Sequence, residues 1–348
     1  MTRHGEVITV DSANPERATI KRAVRILQRN GLVAFPTETV YGLGALGLEP
    51  KAVARIYEAK GRPAWNPVIM HVHNAKGASR LVQEWTDDAA LLAKTFWPGP
   101  LTLVLRKSDK VPEISTAGLD AIAVRVPSHA VALALLEEAD APVAAPSANR
   151  FTQVSPTTAS HVKKSLGDRV DLILDGGPCK VGIESTVLDL TGSEAVVLRP
   201  GIVSREELEA ALGRPVAFRD TRLGTESDVH SAARSPGLSI RHYAPHADVW
   251  LVKPSDRADV RSALSAHAHS GKVAAIVIES SFANAVQLSP DSRVIVMPDD
   301  ATSYARRLYA ALYEADQVGT SLILIEQPPE TPEWHAIRDR LTRAAALP

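Results

Sequence analysis

Leu32–Gly44, LVAFPTETVYGLG, is the stretch on which the fold of this 348-residue chain turns. Four apolar residues, Leu32–Phe35, run into Pro36 and then into a segment carrying two Thr hydroxyls, a carboxylate and a phenol. A short apolar run closed by proline reads as a buried strand. Upstream, Val7–Val10 reads as another strand, and Asn14 as N-cap with Pro15 at the first helical position opens a helix. Ile20, Val24 and Leu27 give that helix one apolar stripe, and Asn30-Gly31 ends it. Downstream come a helix from Pro50 to Ala59 stopped by Gly61, strands at Leu101–Leu105 and Ala121–Val126, and a helix over Val131–Glu138. Ser155-Pro156 reads as an N-cap and first-turn pair. Short strands follow at Val170–Leu174, Thr186–Leu190 and Ala195–Leu198, and Ser204 with Glu207 makes a capping box. Strands alternating with helices predict an α/β domain built on a twisted mixed sheet.

That first domain is expected over residues 1–213. From 214 to 246 periodicity gives way to Gly, Ser, Asp, Thr and Arg, as in a linker. Beyond it, Val249–Val252, Val273–Ile278, Val294–Met297 and Leu322–Ile325 read as strands, separated by amphipathic stretches such as Tyr304–Tyr313. This βαβ rhythm predicts a smaller Rossmann-like three-layer domain over 247–348. The length suits two domains.

The charges nearly cancel, 39 Lys and Arg against 40 Asp and Glu, so the molecule as a whole offers no cationic face to a nucleic-acid backbone. RNA contact is expected to be local or transient. Cys179 is the lone cysteine, which excludes an internal disulfide or a multi-thiolate zinc site and suits a reducing compartment. The polar start, MTRHGEVITVDSANPER, and the lack of an apolar run of about 18 residues point to a cytoplasmic protein with no membrane partner.

Gly42, Gly44 and Gly47 spell G-x-G-x-x-G, but a dinucleotide site also needs an acidic residue about 20 positions on, and residues 62–67 read RPAWNP. A glycine-rich turn allowing close backbone approach is the expectation there. No P-loop pattern occurs. Within Pro36–Gly44 the hydroxyls could hold a small polar ligand or merely cap a turn, and the segment alone leaves both open. Lys60 and Arg62 flank Gly61 among prolines, a rigid pair suited to phosphate oxygens, although cations at a helix end also satisfy carbonyls. His71 and His73 form H-x-H on one face of an apparent strand; without a third strong ligand, hydrogen bonding to substrate or backbone is expected rather than metal. Arg125 inside the apolar strand AIAVRVP is costly unless it meets an anion. Ser147-Ala148-Asn149, Ser185-Thr186 and Arg199-Pro200-Gly201 place more polar groups at strand ends. Together these describe a pocket of guanidinium, hydroxyl and amide groups without the acid/base pair of a hydrolase.

PTETVYGLG, KGRP followed by NP, HVH, WPGPLT, AVRVP, PSAN, SPT, STV and RPG, in this order over roughly residues 15–210, resemble the YrdC-domain family. RHYAP, Arg241–Pro245, followed by a Rossmann-like domain, resembles its long two-domain branch, the L-threonylcarbamoyladenylate synthases. The resemblance implies a nucleotidyltransferase that condenses L-threonine, bicarbonate and ATP and expels pyrophosphate, for threonylcarbamoyladenosine modification of tRNA. It implies that Thr39, His71, Arg125, Ser147 and Ser185 hold L-threonine. Arg62, Asn66, Asn149, Ser155 and Arg199 then line the ATP side with Lys60, and Lys60 and Arg62 are the catalytic candidates. Tyr243 of the linker would fold over the ATP, Mg2+ accompanies the phosphates, and no protein metal site is expected. Contact with the tRNA threonylcarbamoyl-transferase complex is expected to be transient. Where many relatives carry an aromatic and a basic residue before RHYAP, this chain has Leu238, Ser239 and Ile240.

Related domains that handle carbamoyl-phosphate in hydrogenase maturation sit in longer chains with acylphosphatase and zinc-finger elements, and neither occurs here. A double-stranded-RNA-binding module would carry an excess of cations, against the balance seen.

Overall fold

The computed structural model describes residues 5–63, 65–218, 242–256, 272–278 and 292–346. The expected linker lies mostly outside the described residues, as do Leu238, Ser239, Ile240 and Arg241. Two compact units are present: one runs through Phe151 and resumes at Ser155, and the other combines Thr152–Val154 with the C-terminal part.

The first unit contains strands β1 (Glu6–Thr9), β2 (Val33–Phe35), β3 (Gly42–Leu46), β4 (Ile69–His71), β5 (Leu101–Arg106), β6 (Ala121–Arg125), β7 (Val143–Ala144), β8 (Leu172–Asp175), β9 (Thr186–Asp189), β10 (Val196–Arg199) and β11 (Ala217–Phe218). Its helices are α1 (Arg17–Gln28), α2 (Pro50–Lys60), α3 (Ala75–Ser79), α4 (Asp87–Phe96), α5 (Glu113–Thr116), α6 (Ala130–Ala139), α7 (Ala159–Leu166) and α8 (Arg205–Leu212). The strands form one mixed sheet in the order β1-β8-β2-β3-β7-β4-β6-β5-β9-β10-β11. β2 shows how the opening stretch works. Leu32 and Ala34 enter the core with Tyr41, Ile56 and Met70, while Val33 and Phe35 enter a second core with Val24, Leu27, Leu135 and Leu172. The run is apolar throughout because its alternating side chains fill cores on both faces of the sheet.

Four local expectations change. α1 begins at Arg17 rather than after Asn14, because Asp11 Oδ1 accepts from the Ala13 and Asn14 amides and folds residues 11–14 into an Asx turn. α7 starts at Ala159 with the Thr158 hydroxyl accepting from the His161 amide, so Ser155-Pro156 is not a helix start. Gly42 and Gly44 lie in β3 rather than in a turn: a Cβ on Gly44 would stand 2.7 Å from Phe35 Cε1, and one on Gly47 would stand 2.3 Å from Met70 Sδ. These glycines admit tight packing against neighbouring strands. Finally, the first domain, expected to close near Gly213, runs on to β11, which pairs with β10. The capping box at Ser204 and Glu207 forms as expected.

The second unit carries a parallel sheet of β12 (Asp248–Val252), β13 (Lys272–Val277), β14 (Arg293–Val296) and β15 (Thr320–Glu326), in the order β12-β15-β13-β14. Helix α9 (Ala301–Ala315) buries Tyr304, Leu308, Tyr309 and Leu312, and α10 (His335–Ala345) follows β15. Thr152–Val154 joins this unit through the Ala244 amide, which donates to the Thr152 carbonyl (2.9 Å), and the Tyr313 hydroxyl, which donates to that of Val154 (2.9 Å).

Candidate active site

The segment that leaves β2 is the hub of the first unit's polar cluster. The Tyr41 amide donates to the Pro156 carbonyl (2.8 Å), the Ala148 amide to that of Tyr41 (2.8 Å) and the Gly182 amide to that of Thr39 (3.2 Å). Three loops, 36–41, 146–157 and 181–185, are thereby tied together. The two Thr hydroxyls have different partners. Thr37 Oγ1 caps the turn, donating to the Val40 carbonyl at 2.7 Å. Thr39 Oγ1 instead accepts from Arg125 Nη1 at 2.9 Å.

Arg125, at the end of β6, is buried and meets an anion there. Its Nη2 donates to Glu38 Oε1 (2.6 Å) and its Nε to the Gly99 carbonyl (3.1 Å). The other Glu38 oxygen accepts from the Ser128 amide at 3.0 Å. The guanidinium therefore uses three of its five N–H groups on described residues and keeps two. His71 pairs with Arg125 across β4 and β6, and its ring stands edge-on to Phe35. Its Nδ1 is buried with no hydrogen-bond partner among the described residues. Burial, with the Arg125 charge second, pushes its pKa down to about 3. The imidazole is therefore neutral at pH 7. His73 does not share its surroundings: β4 ends at His71, the strand alternation stops, and His73 is exposed.

That shift fixes the sign of an acid effect. The unfolded His71 takes up a proton near pH 6.5, while the folded one resists until about pH 3, so acidification across this window favours the unfolded chain. Between pH 6.5 and 5 the loss expected from this one group is about 2 kcal/mol. His161 and His129 are shifted down as well and add to the slope. Urea denaturation at the two pH values should show a smaller loss in His71→Gln than in wild type; equal slopes would contradict the burial argument.

The amine of Lys60, at the end of α2, donates to the carbonyls of Ser147 (2.6 Å) and Asn149, and the Lys60 carbonyl accepts from the Phe151 amide (2.8 Å). Lys60 thus holds the Ser147–Phe151 loop at three points. Burial first, and then the Arg62 charge, holds its ammonium well below the usual lysine range. Gly61 caps α2 at φ 63°, and Arg62 turns into the following loop. Arg62 Nη2 donates to Asn66 Oδ1 (2.6 Å) and to the Pro67 carbonyl (2.7 Å). Its guanidinium also lies over the Phe151 ring at 6.0 Å.

Ser155 and Ser185 arrive from neighbouring loops. Ser155 donates to Glu184 Oε1 at 2.6 Å. Ser185 Oγ shares a 2.7 Å hydrogen bond with Thr102 Oγ1 and accepts from Arg199 Nη2 at 3.1 Å; Arg199 also donates from Nε and Nη2 to the Ser185 carbonyl. Arg199 and Ser185, expected on the nucleotide and threonine sides respectively, are in direct contact. Gly201 explains the glycine of the RPG motif: a Cβ there would meet the Thr186 amide at 2.3 Å and the Ser185 carbonyl carbon at 2.7 Å, both backbone atoms that cannot swing aside. Gly201→Ala is expected to cost about 1–3 kcal/mol in stability and to displace Ser185. Urea denaturation reads this loss, and wild-type stability in the variant would contradict the close backbone approach at Gly201.

Tyr243 belongs to the second unit. It sits at φ 61°, stacks on Tyr309 with ring centroids 5.7 Å apart, and lies under the Arg340 guanidinium at 5.6 Å. Glu38, Glu184 and Thr102 join the polar cluster, although the sequence reading assigned none of them a role. Their signal was position alone: Glu38 lies inside PTETVYGLG, Thr102 ends WPGPLT, and Glu184 precedes Ser185. A separate cavity of about 430 Å3, lined among others by His73, Lys76, Arg80, Lys110 and Glu137, contains none of the other candidate site residues. Among the described residues no group of three or more His, Cys, Asp or Glu could hold a metal ion, and no helix is long and apolar enough to cross a membrane.

The first unit is thus a mixed α/β domain whose loops gather cations, hydroxyls and amides around one polar hub. The family model described as "telomere recombination", covering Sua5, YciO and YrdC proteins, matches residues 25–201, and the model of the threonylcarbamoyl-AMP synthase C-terminal domain matches residues 203–346. The chain belongs to the Sua5/YciO/YrdC family. It is 41% identical over 333 residues to the threonylcarbamoyl-AMP synthase of Pyrococcus abyssi, covering 95% of each chain. It is 37% identical over 345 residues to that of Bacillus subtilis, covering 99% of this chain and 98% of the relative. The crystal structure of P. abyssi Sua5 complexed with L-threonine superposes with a TM-score of 0.88 at 40% identity, over 97% of both chains.

Proposed function

We infer that this chain is a threonylcarbamoyl-AMP synthase that condenses L-threonine, bicarbonate and ATP into threonylcarbamoyl-AMP, releasing pyrophosphate and water. The observation that carries this reading is the fixed cluster around loop 36–41, in which a buried Arg with two N–H groups to spare stands among hydroxyls, beside a second loop held by Lys60. The amine of threonine takes up carbon dioxide from bicarbonate, and the carbamate oxygen then attacks the α-phosphorus, so the bond to pyrophosphate breaks. Each step needs reactants held in line and developing negative charge neutralised, and none needs a protein nucleophile.

In this assignment Arg125 takes the threonine carboxylate, while Thr39, His71, Ser147 and Ser185 surround the amino acid. A neutral His71 can donate or accept a hydrogen bond without repelling the amine that must be deprotonated to react. Arg62, Asn66, Asn149, Ser155 and Arg199 serve the nucleotide, with Lys60 shaping the loop between the two substrates. Mg2+ would arrive with the phosphates and supply neutralisation of their charge. The product is the activated donor for threonylcarbamoyladenosine in tRNA. We place the protein in the cytoplasm, where its product passes to the tRNA-modifying transferase complex.

Pyrophosphate release measured with single omissions tests this. Release should require L-threonine, bicarbonate and ATP together and should accompany formation of an adenylate with the mass of threonylcarbamoyl-AMP. Equal release without threonine would overturn it.

A further inference from the structure

Glu38 is a buried carboxylate that the reaction does not consume. Both of its oxygens are occupied, Oε1 by Arg125 Nη2 at 2.6 Å and Oε2 by the Ser128 amide at 3.0 Å. An ionised carboxylate inside a protein core is costly, and a pair of this kind is retained in the face of that cost where it fixes one geometry. Here three directions are pinned. Glu38 holds Nη2, Thr39 holds Nη1 at 2.9 Å and the Gly99 carbonyl holds Nε at 3.1 Å, so the guanidinium plane cannot rotate. Glu38 is itself anchored by backbone, since its carbonyl accepts from the Val181 amide at 2.7 Å.

We propose that Glu38 is a positioning residue that presents the two remaining N–H groups of Arg125 to the carboxylate of L-threonine. Its two oxygens are turned to Arg125 and to the Ser128 amide, so the part assigned to it is to hold the guanidinium rather than to take the proton of the threonine amine. The pair also sets the local charge: Arg125 with Glu38 is neutral, so the threonine carboxylate is gripped by aimed hydrogen bonds rather than by an unopposed cation. This rests on the assignment of Arg125 to the threonine carboxylate.

The geometry explains why a neutral isostere fails. Gln in place of Glu38 presents one NH2 group, which must face either Arg125 Nη2 or the Ser128 amide, and both are donors. Steady-state kinetics on the full chain should show threonine KM raised 10- to 100-fold in Glu38→Gln, with kcat falling far less and ATP KM moving less than threefold. Glu38→Asp keeps the charge, so it guards against a simple folding failure. One methylene shorter, it cannot span Arg125 and Ser128, and threonine KM should rise here too. Wild-type threonine KM in both variants, or a collapse of kcat at unchanged KM, would overturn the proposal, the second outcome marking Glu38 as the base. Arg125→Ala run alongside separates the two levels. If it leaves threonine KM unchanged, the assignment of Arg125 fails. If it raises KM while both Glu38 variants do not, the positioning role fails alone.

Discussion

Arg125→Ala is expected to cut kcat/KM for L-threonine by roughly 100- to 10,000-fold, the equivalent of about 3–5 kcal/mol for removing one partner of a buried, hydrogen-bonded charge pair. The same change strips Glu38 of its counter-charge, and the structure therefore adds a stability cost of about 3–5 kcal/mol, readable by chemical denaturation. These two losses have different causes and can be separated. In Arg125→Met combined with Glu38→Gln no charge is left buried, and the side-chain amide oxygen introduced at position 38 can still accept from the Ser128 amide. Stability should largely return while threonine-dependent turnover stays lost. Recovery of turnover in the double variant would show that Arg125 serves the fold and not the substrate.

Lys60→Met should have an effect of comparable size through a different route. The substitution leaves the Ser147 and Asn149 carbonyls without their buried donor, at about 1–3 kcal/mol each. It also relieves the cost of burying an ammonium, so the net change in global stability should be small. What is lost is the shape of the loop carrying Ser147 and Asn149, and activity should fall at least 100-fold with a raised ATP KM. A titration supplies an independent check. The folded chain releases the Lys60 proton more readily than the unfolded one, which stays protonated to about pH 10.5. Between the lowered value and 10.5 the unfolded state binds more protons, so stability should rise with pH over that window, and Lys60→Met should lose that component.

Much of this was legible in the linear chain because it depends on local rules. The continuous apolar run at Leu32–Phe35 announced a strand with both faces covered, the Ser204–Glu207 pair announced its helix, and an Arg inside AIAVRVP announced a buried anion. What stayed hidden depends on partners far away in sequence. Glu38 meets Arg125 across 87 positions, Ser155 meets Glu184 across 29 and Thr102 meets Ser185 across 83, and no spacing rule reaches that far. The misreadings have a common cause as well. G-x-G-x-x-G specifies small residues but not whether a turn or a neighbouring strand demands them, and at Gly44 and Gly47 it is Phe35 and Met70 that do. H-x-H assumes that a strand continues, and β4 stops at its first His. Asn14 lost its cap role to Asp11, a competitor three residues earlier.

The most direct measurement is a crystal structure of the full chain with L-threonine and a non-hydrolysable ATP analogue. The threonine carboxylate should lie within about 3 Å of the free Arg125 N–H groups, a normal hydrogen-bond distance, with the α-phosphate facing the loops of Arg62, Asn149 and Arg199. Threonine bound elsewhere, for instance in the cavity beside His73, Lys76 and Lys110, with Arg125 untouched, would contradict the site.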